Sequence, residues 1–357
     1  MFVPLVYLAG NIFLYYRLLR AIARLHLAAK IIISLFYWLL AVAMLLSIAL
    51  RGAALPAVVL AWLFRTGSLW MIFMFYTVVL LLIFDGVRLV LPLFRAGLRC
   101  AVCVTALLLV YGNFVYCNPA VVPLDITVNK HFAGDSLRVV VASDIHLGHG
   151  TGKSELRKYV DLINAQNADV VLFVGDLFDN SVRPARDGAF DEELRRLRAP
   201  QGVFMAPGNH EYISGYGECE AFLARTPVRM LRDTVVQLPC GVQLLLRDDR
   251  ANRSRLPLED FVKKADDCKP VVLLDHQPYY VAESNALGVD VHLSGHTHHG
   301  QSFPVNLITD FIFLQSHGYR KWSHSHVWVS SGLSLWGPPV RVGTRGDIAV
   351  ITLRSGV

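Results

Sequence analysis

Two hydrophobic rhythms divide this chain. Up to about residue 117 the apolar positions are continuous. Residues 1–16 carry no charged side chain, Ile31–Leu50 is twenty residues without one, Thr66–Phe84 is nineteen, and Ala101–Tyr116 makes a fourth run. About 20 apolar residues cross the hydrocarbon core of a bilayer. The pattern therefore predicts a transmembrane region over 1–117, with helices near 1–16, 31–50, 66–84 and 101–117. The first run lacks the basic start and small-residue cleavage site of a secretory signal, so an uncleaved helix is expected there.

Beyond residue 117 the apolar runs shorten to strand length. A connector over 118–136 contains the alternating stretch Leu124–Val128, which predicts an edge strand. Val139–Ala142, Asp169–Gly175 and Gly202–Pro207 predict buried strands, followed by Val271–Leu274, Val289–Leu293, His326–Val329 and Ile348–Leu353. Between them, Leu156, Tyr159, Val160 and Ile163 recur at helical spacing within 151–167, and shorter helices are expected at 191–198 and 218–225. Strands interleaved with helices, with more strands at the end, predict an α/β sandwich over 137–357.

Charge follows the same division. Before residue 118 there are nine Lys/Arg and one acid, Asp85; after it there are 25 Lys/Arg and 27 Asp/Glu. The basic excess thus flanks apolar runs and gives no reason to expect nucleic acid. The loop at 17–30 holds four cations and the stretch at 85–99 three, against Arg51 and Arg65 in the loop between. Cationic loops favour the cytoplasm. That places the N-terminus and residues 118–357 outside, on the extracytoplasmic face of the plasma membrane. The six cysteines form no disulfide framework, and Cys100-x-x-Cys103 adjoins an apolar run, where lipid-level or core packing is expected.

Candidate chemistry appears where the short strands end. Asp144-Ile145-His146 follows the first, Gly175-Asp176-Leu177-Phe178-Asp179 the second and Gly208-Asn209-His210-Glu211 the third. Asp275-His276 and Gly295-His296-Thr297-His298-His299 follow later ones. In extended backbone, residues i and i+2 face the same side, so Asp144 and His146 could reach one cation. Polar groups at the carboxyl ends of strands are where α/β sheets place sites. Twelve of the thirteen histidines follow residue 130. One such outcrop is usually a cap or a core hydrogen-bonder; five in series are not all structural.

In order and spacing, these five outcrops resemble the motifs of the calcineurin-like metallophosphoesterase superfamily. Gln301 and the helical prefix are similar to a membrane-anchored bacterial branch, in which Gly often stands where this chain has His299. The resemblance implies a two-sheet sandwich flanked by helices and a phosphoesterase with two divalent metal ions (Mn, Fe or Zn). One ion would take Asp144, His146, Asp176 and His298, and the other Asp176, Asn209, His276 and His296. A bridging water would attack the phosphate, with His210 stabilising phosphoryl charge or protonating the leaving oxygen. Glu211 or another acid would orient His210, and Asp179 would stand behind the ligands. His149 and His299 are candidate substrate contacts. His292 is expected to be structural, His317, His324 and His326 to sit at a rim, and the run Arg247, Arg250, Arg253, Arg255 to be a solvated loop.

Anchoring confines such a site near the bilayer, which favours a lipid-linked phosphate substrate. Two alternatives stay open: a UDP-diacylglucosamine-type pyrophosphatase, which requires the domain inside, and a membrane sensor with a non-catalytic metal site.

Overall fold

The computed structural model describes every residue except 1, 51, 52, 54 and 357. Arg51, counted in the second loop, lies outside the described residues. The chain divides into two compact units, one comprising residues 1–114 with 337–340 and the other residues 115–336 with 341–357.

The first unit is helical: α1 (Phe2–Ala21), α2 (Leu27–Ala49), α3 (Ala57–Val90) and α4 (Leu98–Tyr116). Of these, α2, α3 and α4 are long and apolar enough to cross a membrane. The first run also folds as a helix, α1, of 20 residues. The third run was expected over 66–84. The helix extends it by nine residues at its start and six at its end, because Pro56 precedes its first turn and Asp85 is neutralised. Both Arg17 and Arg88 reach the Asp85 carboxylate, at 2.7 and 2.8 Å. Inside this unit the Tyr37 hydroxyl donates to the Asn11 carbonyl at 2.7 Å, and the Trp70 indole donates to the Asn11 amide oxygen at 3.0 Å. Polar groups shielded from water are here paired with one another.

The second unit holds twelve strands: β1 (Ala120–Val128), β2 (Leu137–Ala142), β3 (Val170–Val174), β4 (Val203–Ala206), β5 (Val228–Met230), β6 (Thr234–Gln237), β7 (Gln243–Leu246), β8 (Val271–Leu274), β9 (Val291–Ser294), β10 (Gly318–Lys321), β11 (His326–Val329) and β12 (Asp347–Ser355). They form two six-stranded mixed sheets, in the orders β1-β12-β2-β3-β4-β5 and β10-β11-β9-β8-β7-β6. The strand expected at Leu124–Val128 is indeed an edge strand, paired in parallel with β12.

The two-residue period of a strand explains how this sandwich closes. Val139 and Val141 point into the core between the sheets, with Leu172, Phe204, Leu244, Leu274, Leu293 and Trp328. Val140 and Ala142 point the other way, against Leu156, Tyr159, Val160 and Ile163 of the helix Lys153–Asn164. Burying each such side chain contributes roughly 1.5–3 kcal/mol. A strand buried on both faces reads as a continuous apolar run, which is why β2, β3 and β4 were visible in sequence. By contrast β5, β6, β7 and β10 were not: they are three or four residues long, and of the outer two β6 is half-buried and β10 largely exposed.

Candidate metal centre

The ends of β2, β3, β4, β8 and β9 deliver all five outcrops to one place. Asp144, His146 and His298 have donor atoms within 4.8 Å of one another, and so do Asp176, His276 and His296. The two groups meet around Asp176, whose Oδ2 is 3.1 Å from His276 Nε2 and 3.9 Å from His146 Nε2. His298 Nε2 lies 3.4 Å from Asp144 Oδ1 and 3.1 Å from His146 Nε2.

The pairing of Asp144 with His146 comes about differently from the extended geometry expected. The strand ends at Ala142, and both residues take left-handed backbone, with φ of 55° and 50°. Asp176, His296, His298 and His299 do the same. Six of the ten described non-glycine residues with positive φ thus lie in these motifs. Left-handed backbone costs a non-glycine residue about 1–2 kcal/mol, and such strain concentrates at functional sites. Two glycines permit the close approach. A Cβ on Gly208 would overlap the Asp176 carboxylate, and one on Gly295 would overlap the Asp144 carboxylate and the Ser143 hydroxyl.

Hydrogen bonds fix the orientation of each donor. The Asp144 carboxylate accepts the His296 backbone N–H at 3.1 Å, and the Asp176 carboxylate accepts that of His210 at 2.9 Å. His276 Nδ1 lies 2.7 Å from the Val174 carbonyl. Donation there assigns the proton to Nδ1 and turns Nε2 toward Asp176. Burial pushes Asp144 up to about 6 and His146 down to about 3. Burial also raises Asp176, but His276, His210 and His146 outweigh it and hold that carboxyl well below its usual range.

These groups fit divalent cations. At the donor groups, Asn209 Oδ1 and His276 Nε2 are buried without a hydrogen-bond partner. Buried polar atoms are normally paired, because leaving one unpaired costs about 1–3 kcal/mol. Carboxylate and imidazole donors together suit Mn, Fe or Zn.

His210 stands beside this cluster. Its Nδ1 lies 2.6 Å from the Asp179 carbonyl and 3.5 Å from Asp179 Oδ1. Burial depresses the imidazole, but Asp179 and Asp176 prevail and push it up to about 9. His210 is thus held by the main-chain carbonyl of Asp179, with that residue's carboxylate close by. Glu211, buried next to it, faces the other way and accepts backbone N–H groups from Gly208 at 2.7 Å, Asp176 at 2.9 Å and Phe178 at 3.1 Å. It ties two motif turns together. Glu211→Ala leaves three buried donors unpaired, so it should lower stability by about 3 kcal/mol or more. A thermal melt of the full chain reads this as a lower midpoint, and an unchanged midpoint would refute the role.

Other sequence expectations divide. His292 is structural: it is buried, with its two nitrogens 2.6 and 3.0 Å from the Ser284 and Ser294 hydroxyls. His326 is buried in β11 with Nδ1 2.8 Å from the Tyr319 hydroxyl, so it is no rim residue, whereas His317 and His324 are exposed. His149 is half-buried in the turn after β2 and belongs to neither donor group. His299 turns aside to stack on His317 at 3.5 Å, with Nε2 3.6 Å from Asp310. The arginine run is not uniformly solvated. Arg247 is buried against Asp275 at 2.7 Å and over the Tyr280 ring, and Arg255 also reaches Asp275, at 3.6 Å; Arg250 and Arg253 are the exposed or half-exposed members. The first and last members of that run face inward and the middle two outward, a pattern that charge alone conceals.

Sequence reading missed Arg341. It is fully buried, and its guanidinium donates to the carbonyls of Ser331, Gly332 and Ser334 and, at 3.3 Å, to that of His298. The same loop donates from Leu333 and Ser334 to the carbonyls of Ser143 and Asp144. Arg341 is therefore a positioning residue for the His298 and Asp144 turns. It lies 40 residues past the last motif, where no local pattern marks it.

Comparison with known proteins agrees with this geometry. The calcineurin-like phosphoesterase family profile matches residues 137–300. The chain is 33% identical over 223 residues to an uncharacterized metallophosphoesterase of Helicobacter pylori, covering 61% of this chain and 60% of that one. It is 33% identical over 276 residues to a transmembrane protein with metallophosphoesterase domain of Danio rerio, covering 71% and 62%. Against the metallophosphoesterase YkuE of Bacillus subtilis, also uncharacterized, it is 27% identical over 237 residues, covering 62% and 80%. The matches thus span about three fifths of the first two relatives' own length. The donors that gather at the strand ends and the profile that matches them describe one module: residues 137–300 match the calcineurin-like phosphoesterase family, in a chain that also has three helices long and apolar enough to cross a membrane.

Proposed function

We propose that this protein is a membrane-anchored, binuclear metal-dependent phosphoesterase. The observation that carries the reading is the convergence of two donor groups, Asp144/His146/His298 and Asp176/His276/His296, on either side of one carboxylate. Asp144, His146, Asp176 and His298 would hold one cation, and Asp176, Asn209, His276 and His296 the second. When bound, the pair supplies positive charge for the phosphoryl oxygens and lowers the pKa of water. The chain's own residues do the rest. Asp176 offers an oxygen to each side, and Asn209 adds a neutral oxygen that leaves the net charge of its group unchanged. His210, clamped by Asp179, offers a proton or a positive charge at the leaving oxygen. Gly208 and Gly295 hold the turns close, and the surrounding strands keep the donors dry, where charge interactions are stronger.

The substrate in this reading is a phosphate ester presented at a membrane, of lipid-linked type. The catalytic unit works on the extracytoplasmic side of the plasma membrane, a reading supported by the cation count along the sequence, four over 17–30 and three over 85–99 against Arg51 and Arg65 between them, although Arg65 lies within α3. The test uses the full chain with a nitrophenyl phosphodiester. Chelation should abolish hydrolysis, and Mn²⁺ should restore it with two ions bound per chain. A preparation that binds less than one ion, or that hydrolyses equally well after chelation, would sink the proposal. Shaving of the domain by protease added to intact cells checks the orientation; full protection would place it inside and reopen the UDP-diacylglucosamine-type reading.

A further inference from the structure

Among the described residues after 114, eleven large hydrophobic side chains are exposed, and seven of them lie between 303 and 314. They centre on the helix Val305–Ile312, where Leu307, Ile308 and Ile312 are more than half exposed and Phe311 is 90% exposed. A helix on a water-soluble surface turns its apolar face inward. This one does the reverse: Asn306 and Thr309 are half-buried while Leu307, Ile308, Phe311 and Ile312 point out. An exposed apolar patch concentrated in one segment marks a surface that something covers.

The surroundings identify the cover. Tyr279 and Tyr319 are exposed beside the segment, and the Tyr279 ring lies 4.9 Å from that of Phe313. Arg250 stacks over Tyr279 at 4.1 Å, Arg320 over Trp322 at 5.0 Å, and Lys321 is exposed next to it. The segment's single acid, Asp310, turns to His299 and to the Ser316 hydroxyl. An apolar face bordered by aromatic rings and cations is the composition of an interfacial membrane element, with cations placed for anionic headgroups. The same chain carries three membrane-length helices, so a bilayer is held within reach at high effective concentration.

The segment is also joined to the metal centre. Thr297, between motif residues His296 and His298, donates its hydroxyl to the Ser316 carbonyl, and the Phe313 ring lies 6.4 Å from that of His296. We propose that residues 303–314 are a membrane seat, with Leu307, Ile308, Phe311 and Ile312 in the acyl–headgroup boundary of an anionic leaflet, so that the centre opens onto the headgroup layer. The use of the seat, delivery of lipid phosphates, rests on the phosphoesterase reading above; the seat itself rests on this surface.

The experiment uses the full chain in nanodiscs of phosphatidylcholine and phosphatidylglycerol, with native cysteines replaced and one cysteine at position 311 carrying an environment-sensitive NBD fluorophore. A matched chain labelled at position 259, an exposed polar site, is the reference. Emission at 311 should shift to the blue and fall by about half when the lipids carry a doxyl quencher near the headgroup, whereas position 259 should show neither change. Emission at 311 equal to that at 259 overturns the proposal. A shift that follows protein concentration and ignores the quencher also overturns it, because a second copy then covers the face.

A second measurement separates this from failure of the enzymatic reading. The double variant Ile308→Glu, Phe311→Glu should keep the nitrophenyl phosphodiester rate within about twofold while losing at least tenfold on phosphatidic acid in the same discs. Equal retention on both substrates counts against the seat. A wild type inactive on the soluble ester but quenched at 311 would refute the phosphoesterase reading and leave the seat standing.

Discussion

Asp176→Asn lowers the turnover of a nitrophenyl phosphodiester in Mn²⁺ by roughly a thousandfold, the upper end of what one well-placed electrostatic group supplies. Its carboxylate stands between the imidazoles of the two donor groups: Oδ2 lies 3.1 Å from His276 Nε2 and 3.9 Å from His146 Nε2. The amide occupies the same volume, so the fold is preserved and the change is one of charge. A neutral oxygen cannot offset two cations in a site where Asp144, Asp176 and His276 are all buried. The amide nitrogen would moreover face a donor if it took the place of Oδ1, which accepts the His210 N–H. Metal content, measured alongside the rate by mass spectrometry, should fall below two ions per chain. A variant within about threefold of wild type would remove Asp176 from the centre.

His210→Ala is the second large loss, on the order of a hundredfold to ten-thousandfold for an alkyl phosphate ester. The leaving group makes this diagnostic. An alkoxide needs a proton as it departs, whereas nitrophenolate is stable without one. The variant should therefore lose far less, about tenfold, on the nitrophenyl ester. Equal losses on both would restrict His210 to charge stabilisation. Bound metal should be unchanged, since His210 Nδ1 is committed to the Asp179 carbonyl at 2.6 Å, although the imidazole also groups with His146 and Asp179. Loss of metal in this variant would move His210 into the ligand set.

Asp176 and His210 could both be nominated before any coordinates because each follows a buried strand, and a strand buried on both faces writes a continuous apolar run that ends abruptly. Their partners could not. Asp179 and Glu211 sit three and one residues from them and look interchangeable in sequence, yet Asp179 orients His210 while Glu211 binds the backbone of Gly208, Asp176 and Phe178. Which way a carboxylate faces depends on the path of a turn, and here the turns run through left-handed backbone that residue type does not announce.

Taken alone, the sequence determined the two-part organisation, the order of the buried strands and the set of residues able to hold cations. All three are local properties: uninterrupted apolar length, a two-residue period, and donor side chains placed directly after a strand. Only the tertiary structure decided which donors group together, that Arg247 and Arg341 are interior residues, and that the apolar run at 303–314 faces outward. Those outcomes depend on what lies across from a residue in space. A buried arginine beside Asp275, or an apolar helix with nothing packed over it, has no counterpart in the spacing of neighbours along the chain.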